Sequence, residues 1–101
     1  MKTTLLDALL ESVRGVFYND STRPGVVLSD LGCGQTYASI VRYPNGPDSK
    51  QVVLSVKDLD TNRAIQSLAL AWIGHRGRSR TLRLNLGEDE RKFVRALRAA
   101  L

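Results

Sequence analysis

Cysteine and histidine are almost missing from this chain of 101 residues, which contains one of each, Cys33 and His75. One cysteine excludes an internal disulfide, and one cysteine with one histidine excludes the usual zinc site of four such ligands. Apolar runs are short as well, since none approaches the roughly 20 residues of a membrane-spanning helix. The N-terminus has no unbroken apolar signal core, and no phosphate loop or dinucleotide fingerprint occurs. We therefore expect a cytoplasmic protein that uses no metal, no cofactor and no membrane.

What remains is the composition of one small domain over residues 1–101. Hydrophobic residues make up 43% of the chain, which is ordinary for a globular protein. A chain of this length can bury roughly 65% of the surface that it exposes when unfolded, which is enough for one modest core.

The apolar pattern along the chain predicts seven elements. Leucines and valines at helical spacing predict a first helix, and β-branched or alternating stretches predict three strands that follow it closely. An apolar helix, a strand with leucine at every second position and an amphipathic C-terminal helix complete the chain. The predicted segments are 4–17, 26–29, 36–43, 51–57, 61–73, 81–86 and 88–101.

This order, α-β-β-β-α-β-α, predicts an α+β fold in which a mainly antiparallel four-stranded sheet packs with helices. The short loops between the first three strands favour a meander. The first five elements share their order with the double-stranded-RNA-binding fold. The second helix, however, begins Thr61-Asn62-Arg63 and has no run of lysines there, so we do not assign the chain to that family.

The predicted second helix has almost no polar face after its first turn. A helix of this kind is buried nearly all round, either in the core or at a subunit interface. Trp72 and Ile73, near its end, are therefore the candidate contact residues of a homodimer. The alternative is that the first and last helices flank this helix on the same face of the sheet.

Positive charge is concentrated towards one end of the chain, whose net charge is +5. Residues 1–60 carry six basic and seven acidic groups, whereas residues 61–101 carry nine basic and three acidic groups. Eight of those nine are arginines, whose planar guanidinium favours bidentate contacts with phosphate or carboxylate. The distribution indicates a nucleic acid or an acidic protein as partner. A solvated face without a specific partner is the alternative.

The candidate binding residues lie in a predicted loop, on the strand after it and along the last helix. The loop cations repel one another and have no acid between them, which favours a binding role. The helix cations are also explained as a solvated face on which Glu88 pairs with Arg91 or Lys92, and we interpret Arg98 in that way. The candidate contacts are Arg76, Arg78, Arg80, Arg83, Arg91, Lys92 and Arg95.

Tyr37 and Tyr43 fall on one face of the second predicted strand, with Ser39 and Val41 between them. Aromatic side chains exposed on a sheet can stack on unpaired bases. Cross-strand packing beneath a helix is the interpretation that we favour, because aromatic residues in strands usually serve packing.

The remaining reactive side chains have ordinary explanations. Cys33 lies between two glycines, but nothing in the sequence places it beside His75, so we do not predict a catalytic pair. Asp58 and Asp60 stand at the start of a predicted helix, where capping accounts for them.

The sequence thus predicts a small non-enzymatic binding module whose basic C-terminal region contacts nucleic-acid phosphates with little base readout. The alternative is a protein-interaction or regulatory module that acts on an acidic or apolar protein surface. A small enzyme that uses Cys33 or His75 is the third hypothesis.

Overall fold

The computed structural model describes residues 4–76 and 86–100, with the backbone alone at positions 76 and 86–90. It contains three helices and three strands in the order α-β-β-β-α-α. The elements are α1 (Leu5–Val16), β1 (Thr22–Asp30), β2 (Thr36–Tyr43), β3 (Gln51–Asp58), α2 (Thr61–Arg76) and α3 (Leu86–Ala100).

The three strands form one antiparallel sheet in the order β1-β2-β3. The predicted meander is confirmed, and β2 is its central strand because both neighbours pair with it. The predicted fourth strand lies on residues 81–85, which are outside the described residues, and on Leu86, which begins α3 instead. Within the described residues the α+β class is therefore confirmed with a sheet of three strands.

Helices α1 and α2 pack on one face of this sheet, against Ala38 and Ile40 of β2. They run in the same direction, because the N-terminal turns of both helices line one groove while Ser12 of α1 bonds Trp72 of α2. The third helix, α3, runs the opposite way across them, since its C-terminal turn lines the same groove. Its Phe93 is fully buried in the core that these elements share.

The second helix has an exposed side within this chain, so the core of the chain alone does not bury it nearly all round. Its inner face is buried, but the side chain of Leu70 is 59% exposed. Trp72 lies wholly inside the core and donates its indole N–H to the Ser12 hydroxyl at 2.9 Å. Ile73 is half-buried against the same core. The wholly buried Trp72 therefore offers no surface for the predicted homodimer contact, whereas Ile73 as a contact residue stays a prediction.

Capping by side chains fixes where α1 and α2 begin, and for α2 this confirms the prediction from the sequence. Thr4 accepts a hydrogen bond from the backbone N–H of Asp7, and Asp60 accepts one from that of Arg63 at 2.8 Å. Asp58 precedes α2 and is bonded to it, because its carboxylate accepts a hydrogen bond from the hydroxyl of Ser67 in that helix. The same carboxylate accepts a second hydrogen bond from the Leu59 N–H. These two bonds hold the pKa of Asp58 below its usual value.

None of the helices in the described part of the chain is long and apolar enough to cross a membrane.

Candidate nucleic-acid interface

Three exposed arginines form a basic surface on the outer side of α3. Arg91, Arg95 and Arg98 are exposed and are spaced four and three residues apart, so they lie along one side of the helix. We call these residues the α3 arginine stripe, which includes Arg98 although from the sequence alone we interpret that residue as part of a solvated face. Val94 lies beside them and is exposed as well.

The opposite side of α3 holds this stripe in place. Phe93 and Ala96 are buried, and Leu97 packs against the core. The sequence sets up this division because its apolar residues recur at helical spacing while the arginines occupy the positions between them. The guanidinium groups are therefore carried by a helix whose position is fixed by packing.

Lys92 differs from the arginines beside it. Its Nζ lies 2.9 Å from Glu11 Oε1 of α1, and its side chain is only partly exposed. Among the side chains that the structure describes, no carboxylate pairs with the α3 arginine stripe. Lys92 thus ties α3 to α1, whereas the stripe presents its charge to solvent.

The other predicted cations lie in or beside the connection between α2 and α3. Arg76 is the last residue of α2, and Arg78, Arg80 and Arg83 lie outside the described residues. Because α3 runs opposite to α2, the C-terminal end of α2 and the N-terminal end of α3 lie at one end of the molecule. The backbone of Arg76 is therefore at the end of the molecule where α3, with Arg91 near its start, begins.

A second candidate surface is the face of the sheet that carries no described helix. We call it the open face, and three of its rows run across β1, β2 and β3: Ser29–Tyr37–Lys57, Val27–Ser39–Ser55 and Gly25–Val41–Val52. The described helices pack on the other side of the sheet, so none of them covers Tyr37, and the predicted cross-strand packing of Tyr37 and Tyr43 stays a prediction.

Tyr37 stands in one of these rows, with Lys57 directly opposite on β3. The neighbouring hydroxyls of Ser55 and Ser39, followed by the lysine charge, hold the pKa of Tyr37 below its usual value.

Sequence reasoning missed a buried ion pair between the end of α1 and β2. The Asp20 side chain is 3% exposed and accepts hydrogen bonds from Arg42 Nη2 at 2.9 Å and from the Tyr43 N–H at 3.0 Å. The guanidinium also lies 4.3 Å from the centre of the Phe17 ring. No local pattern signals a pair 22 residues apart in the chain. The hydrogen bonds of Asp20 indicate that its ion pair with Arg42 has a structural role.

The structure separates Cys33 from His75. Pairing of Asp30 with Thr36 and of Thr36 with Asp58 places the Cys33 loop at the end of the sheet where α2 begins. His75 lies near the other end of that helix of 16 residues, which is about 24 Å long. The imidazole stacks on Trp72. No group of three or more potential metal ligands occurs among the described residues.

An apolar groove of about 500 Å³ lies between the N-terminal turns of α1 and α2 and the last turn of α3. None of the described residues that line the groove belongs to the α3 arginine stripe or to the open face.

Comparison of the chain with protein-family models, with curated proteins and with solved structures finds no match in any of the three.

Proposed function

We propose that this chain is a binding module that contacts the phosphate groups of nucleic acids through the α3 arginine stripe. One observation carries the proposal: three exposed guanidinium groups lie on one side of a helix whose other side is fixed in the core. No carboxylate among the described side chains neutralises them.

The stripe suits an extended row of anions better than a single small one. Its first and last arginines, Arg91 and Arg98, are seven positions apart, which corresponds to about 10 Å along a helix axis. A nucleic-acid strand presents negatively charged phosphates in series, and each guanidinium can bind one of them in a bidentate manner. Such contacts position the nucleic acid and carry no sequence information themselves.

Fluorescence anisotropy with a labelled oligonucleotide tests the proposal. Replacing Arg91, Arg95 and Arg98 together by glutamine should weaken binding about tenfold or more at low salt, because three phosphate contacts are lost.

A matched control variant loses the same amount of positive charge at a different place on the surface. Arg23, Lys50 and Arg63 are exposed and lie outside α3, and their joint replacement by glutamine also lowers the net charge from +5 to +2. Binding of this control should stay within about threefold of the parent protein, since screening limits charge effects to nearby groups. Equal weakening of both variants would contradict the proposal.

An acidic protein surface is the second partner class that arginines can bind. Competition separates it from nucleic acid: a polyglutamate chain should displace the oligonucleotide far less effectively than unlabelled oligonucleotide of equal charge. Equal displacement by both polyanions would favour the acidic-protein alternative.

A further inference from the structure

Strand β1 lies at one edge of the sheet, and no strand among the described residues pairs with its outer side. Its last four residues, Val27, Leu28, Ser29 and Asp30, are all exposed. A sheet edge of this kind presents backbone N–H and C=O groups that another strand can bind. The outer edge of β1 is therefore a candidate interaction surface, and α3 contributes no residue to it.

The hydrogen bonds between β1 and β2 show which residues turn their backbone groups outward. The Leu31 N–H donates to the Gln35 carbonyl at 3.0 Å, in the same register as the pairs along β1. Successive pairs of antiparallel strands alternate between exchanging such bonds and pointing away from each other. The odd-numbered residues of β1 from position 25 onwards therefore bond β2. The N–H and C=O groups of Val26, Leu28 and Asp30 point away from the sheet.

The second half of this edge lacks the features that usually keep a sheet edge from pairing, which are proline, lysine and bulges. On β3, the other edge strand, Lys57 and a register shift at Val41 supply them. On β1, Pro24 and the register shift both precede the regular pairing of residues 25–30. The outward groups of β1 are therefore open to a further strand.

Opposite charges stand at the two ends of this edge. Arg14 of α1 donates from Nε to the Pro24 carbonyl at 3.4 Å, and the exposed Arg23 precedes that proline. The exposed Asp30 lies at the other end. Arg14, Arg23 and Asp30 form no ion pair with another described side chain. An identical strand that runs antiparallel to β1 would bring an acid to each basic end.

We propose that a second copy of the chain binds this edge through its own β1, which joins the two three-stranded sheets into one. The two-fold axis passes through Val27, whose exposed side chains meet there. In this register, Val26 of each copy exchanges two backbone hydrogen bonds with Leu28 of the other. The centre of the contact is therefore apolar and its backbone groups are paired.

The charges favour a second copy over an unrelated strand. In the register centred on Val27, Asp30 of each copy stands opposite Pro24 of the other, beside Arg14 and Arg23. The edge is thus complementary to itself, as a two-fold interface requires. An unrelated strand would need the same apolar centre and the same order of charges.

Amide hydrogen exchange of the intact chain, without nucleic acid, tests the proposal on two sets of backbone groups. The amides of Val27 and Ser29 bond β2 and should be protected at every protein concentration. Those of Val26 and Leu28 should exchange fast in dilute protein and slowly in concentrated protein, in parallel with the dimer fraction measured by sedimentation.

Two results would overturn the proposal. Fast exchange of Val26 and Leu28 at all concentrations would show that no second copy pairs with this edge, even if a dimer forms elsewhere. Slow exchange of both amides in the monomer would show that another segment of the same chain covers the edge.

Lysine substitutions on the two edge strands provide an independent readout. Val27 is 36% and Val52 is 56% exposed, and both lie on the same face of the sheet. Val27→Lys should weaken dimerisation about tenfold or more, because two like charges replace an apolar pair at the axis. Val52→Lys makes the same change on β3 and should stay within about threefold of the parent protein. Equal weakening by both variants would overturn the proposal.

The contribution of charge can be tested without changing the loop after β1. Asp30→Asn keeps a side-chain oxygen that can accept the Gly32 N–H and removes the charge. Two exposed ion pairs are lost, so dimerisation should weaken about 2- to 30-fold. Asp48→Asn, in the loop between β2 and β3, is the matched control with no expected effect. Equal affinities of these two variants would overturn the proposed register.

Discussion

At the scale of single residues, one hydrogen bond inside the core joins two side chains that lie 60 positions apart in the chain. The indole N–H of Trp72 is fully buried, and the Ser12 hydroxyl is its acceptor. A buried donor without an acceptor costs more than the bond itself contributes, because the group has lost its hydration. The pair therefore determines how α1 and α2 lie against each other.

Removing the acceptor should be costly. Ser12→Ala should lower the free energy of unfolding by about 1–3 kcal/mol, measured by urea denaturation with the fluorescence of Trp72, the one tryptophan of the chain. In a Trp72→Phe background, followed by circular dichroism, the same substitution should cost clearly less, since no indole N–H is left unpaired. An equal cost in both backgrounds would show that the bond contributes little.

Asp58 supplies a pH-dependent contribution at the start of α2. Hydrogen bonds from Ser67 and Leu59 hold its pKa below the usual value in the folded state, so the folded state favours the charged carboxylate. The stabilisation is therefore complete above about pH 4, the pKa of an unfolded aspartate, and is lost as the pH falls through the lower folded-state pKa.

Carboxyl NMR titration tests this contribution. Ser67→Ala should raise the pKa of Asp58 because the first of its two donors is removed. Ser55→Ala on the open face serves as the control and should leave Asp58 unchanged while raising the pKa of Tyr37. A pKa of Asp58 that does not respond to Ser67→Ala would refute the assignment.

At the scale of elements, Gly74 lowers the stability of α2, although nothing around this position requires a glycine. Gly74 is exposed in a helical stretch, and a methyl group added there would meet no atom within 4 Å. Gly74→Ala should therefore raise stability by roughly 0.5–1 kcal/mol and the melting temperature by about 2–8 °C. Gly32 has φ +72°, so Gly32→Ala should lower the melting temperature instead. Thermal unfolding that ranks the two variants the other way would contradict this description of α2.

The element boundaries show where local sequence signals are overruled by packing. Gly74 predicts the end of α2, but the helix continues to Arg76 because Trp72 and Ile73 hold that turn against the core. Pro24-Gly25 resembles a turn, yet both residues lie within β1, which is an edge strand with a register shift there. An edge strand tolerates a proline because one row of its N–H groups has no partner strand.

The candidate surfaces were predictable to different degrees. The α3 arginine stripe follows from helical spacing alone, because arginines four and three residues apart must lie on one side of a helix. The pairing of Lys92 with Glu11 could not be predicted, since the two residues lie 81 positions apart in the chain. The open face was not predicted either, because alternation along a strand does not show which of its two faces a helix will cover.

At the scale of the whole molecule, the fold places its two candidate surfaces on different layers. The helix layer carries the α3 arginine stripe, and the face of the sheet without a described helix carries Tyr37 and Lys57.

The salt dependence of oligonucleotide binding tests the phosphate contact most directly. The logarithm of the association constant should fall linearly with the logarithm of the salt concentration, with a slope of about 0.9 for each duplex phosphate contact. Replacing Arg91, Arg95 and Arg98 by glutamine should reduce that slope by roughly 2–3, whereas replacing Arg23, Lys50 and Arg63 should leave it unchanged. Identical slopes for the parent protein and the α3 variant, or no binding at low salt, would contradict the proposal that α3 contacts nucleic-acid phosphates.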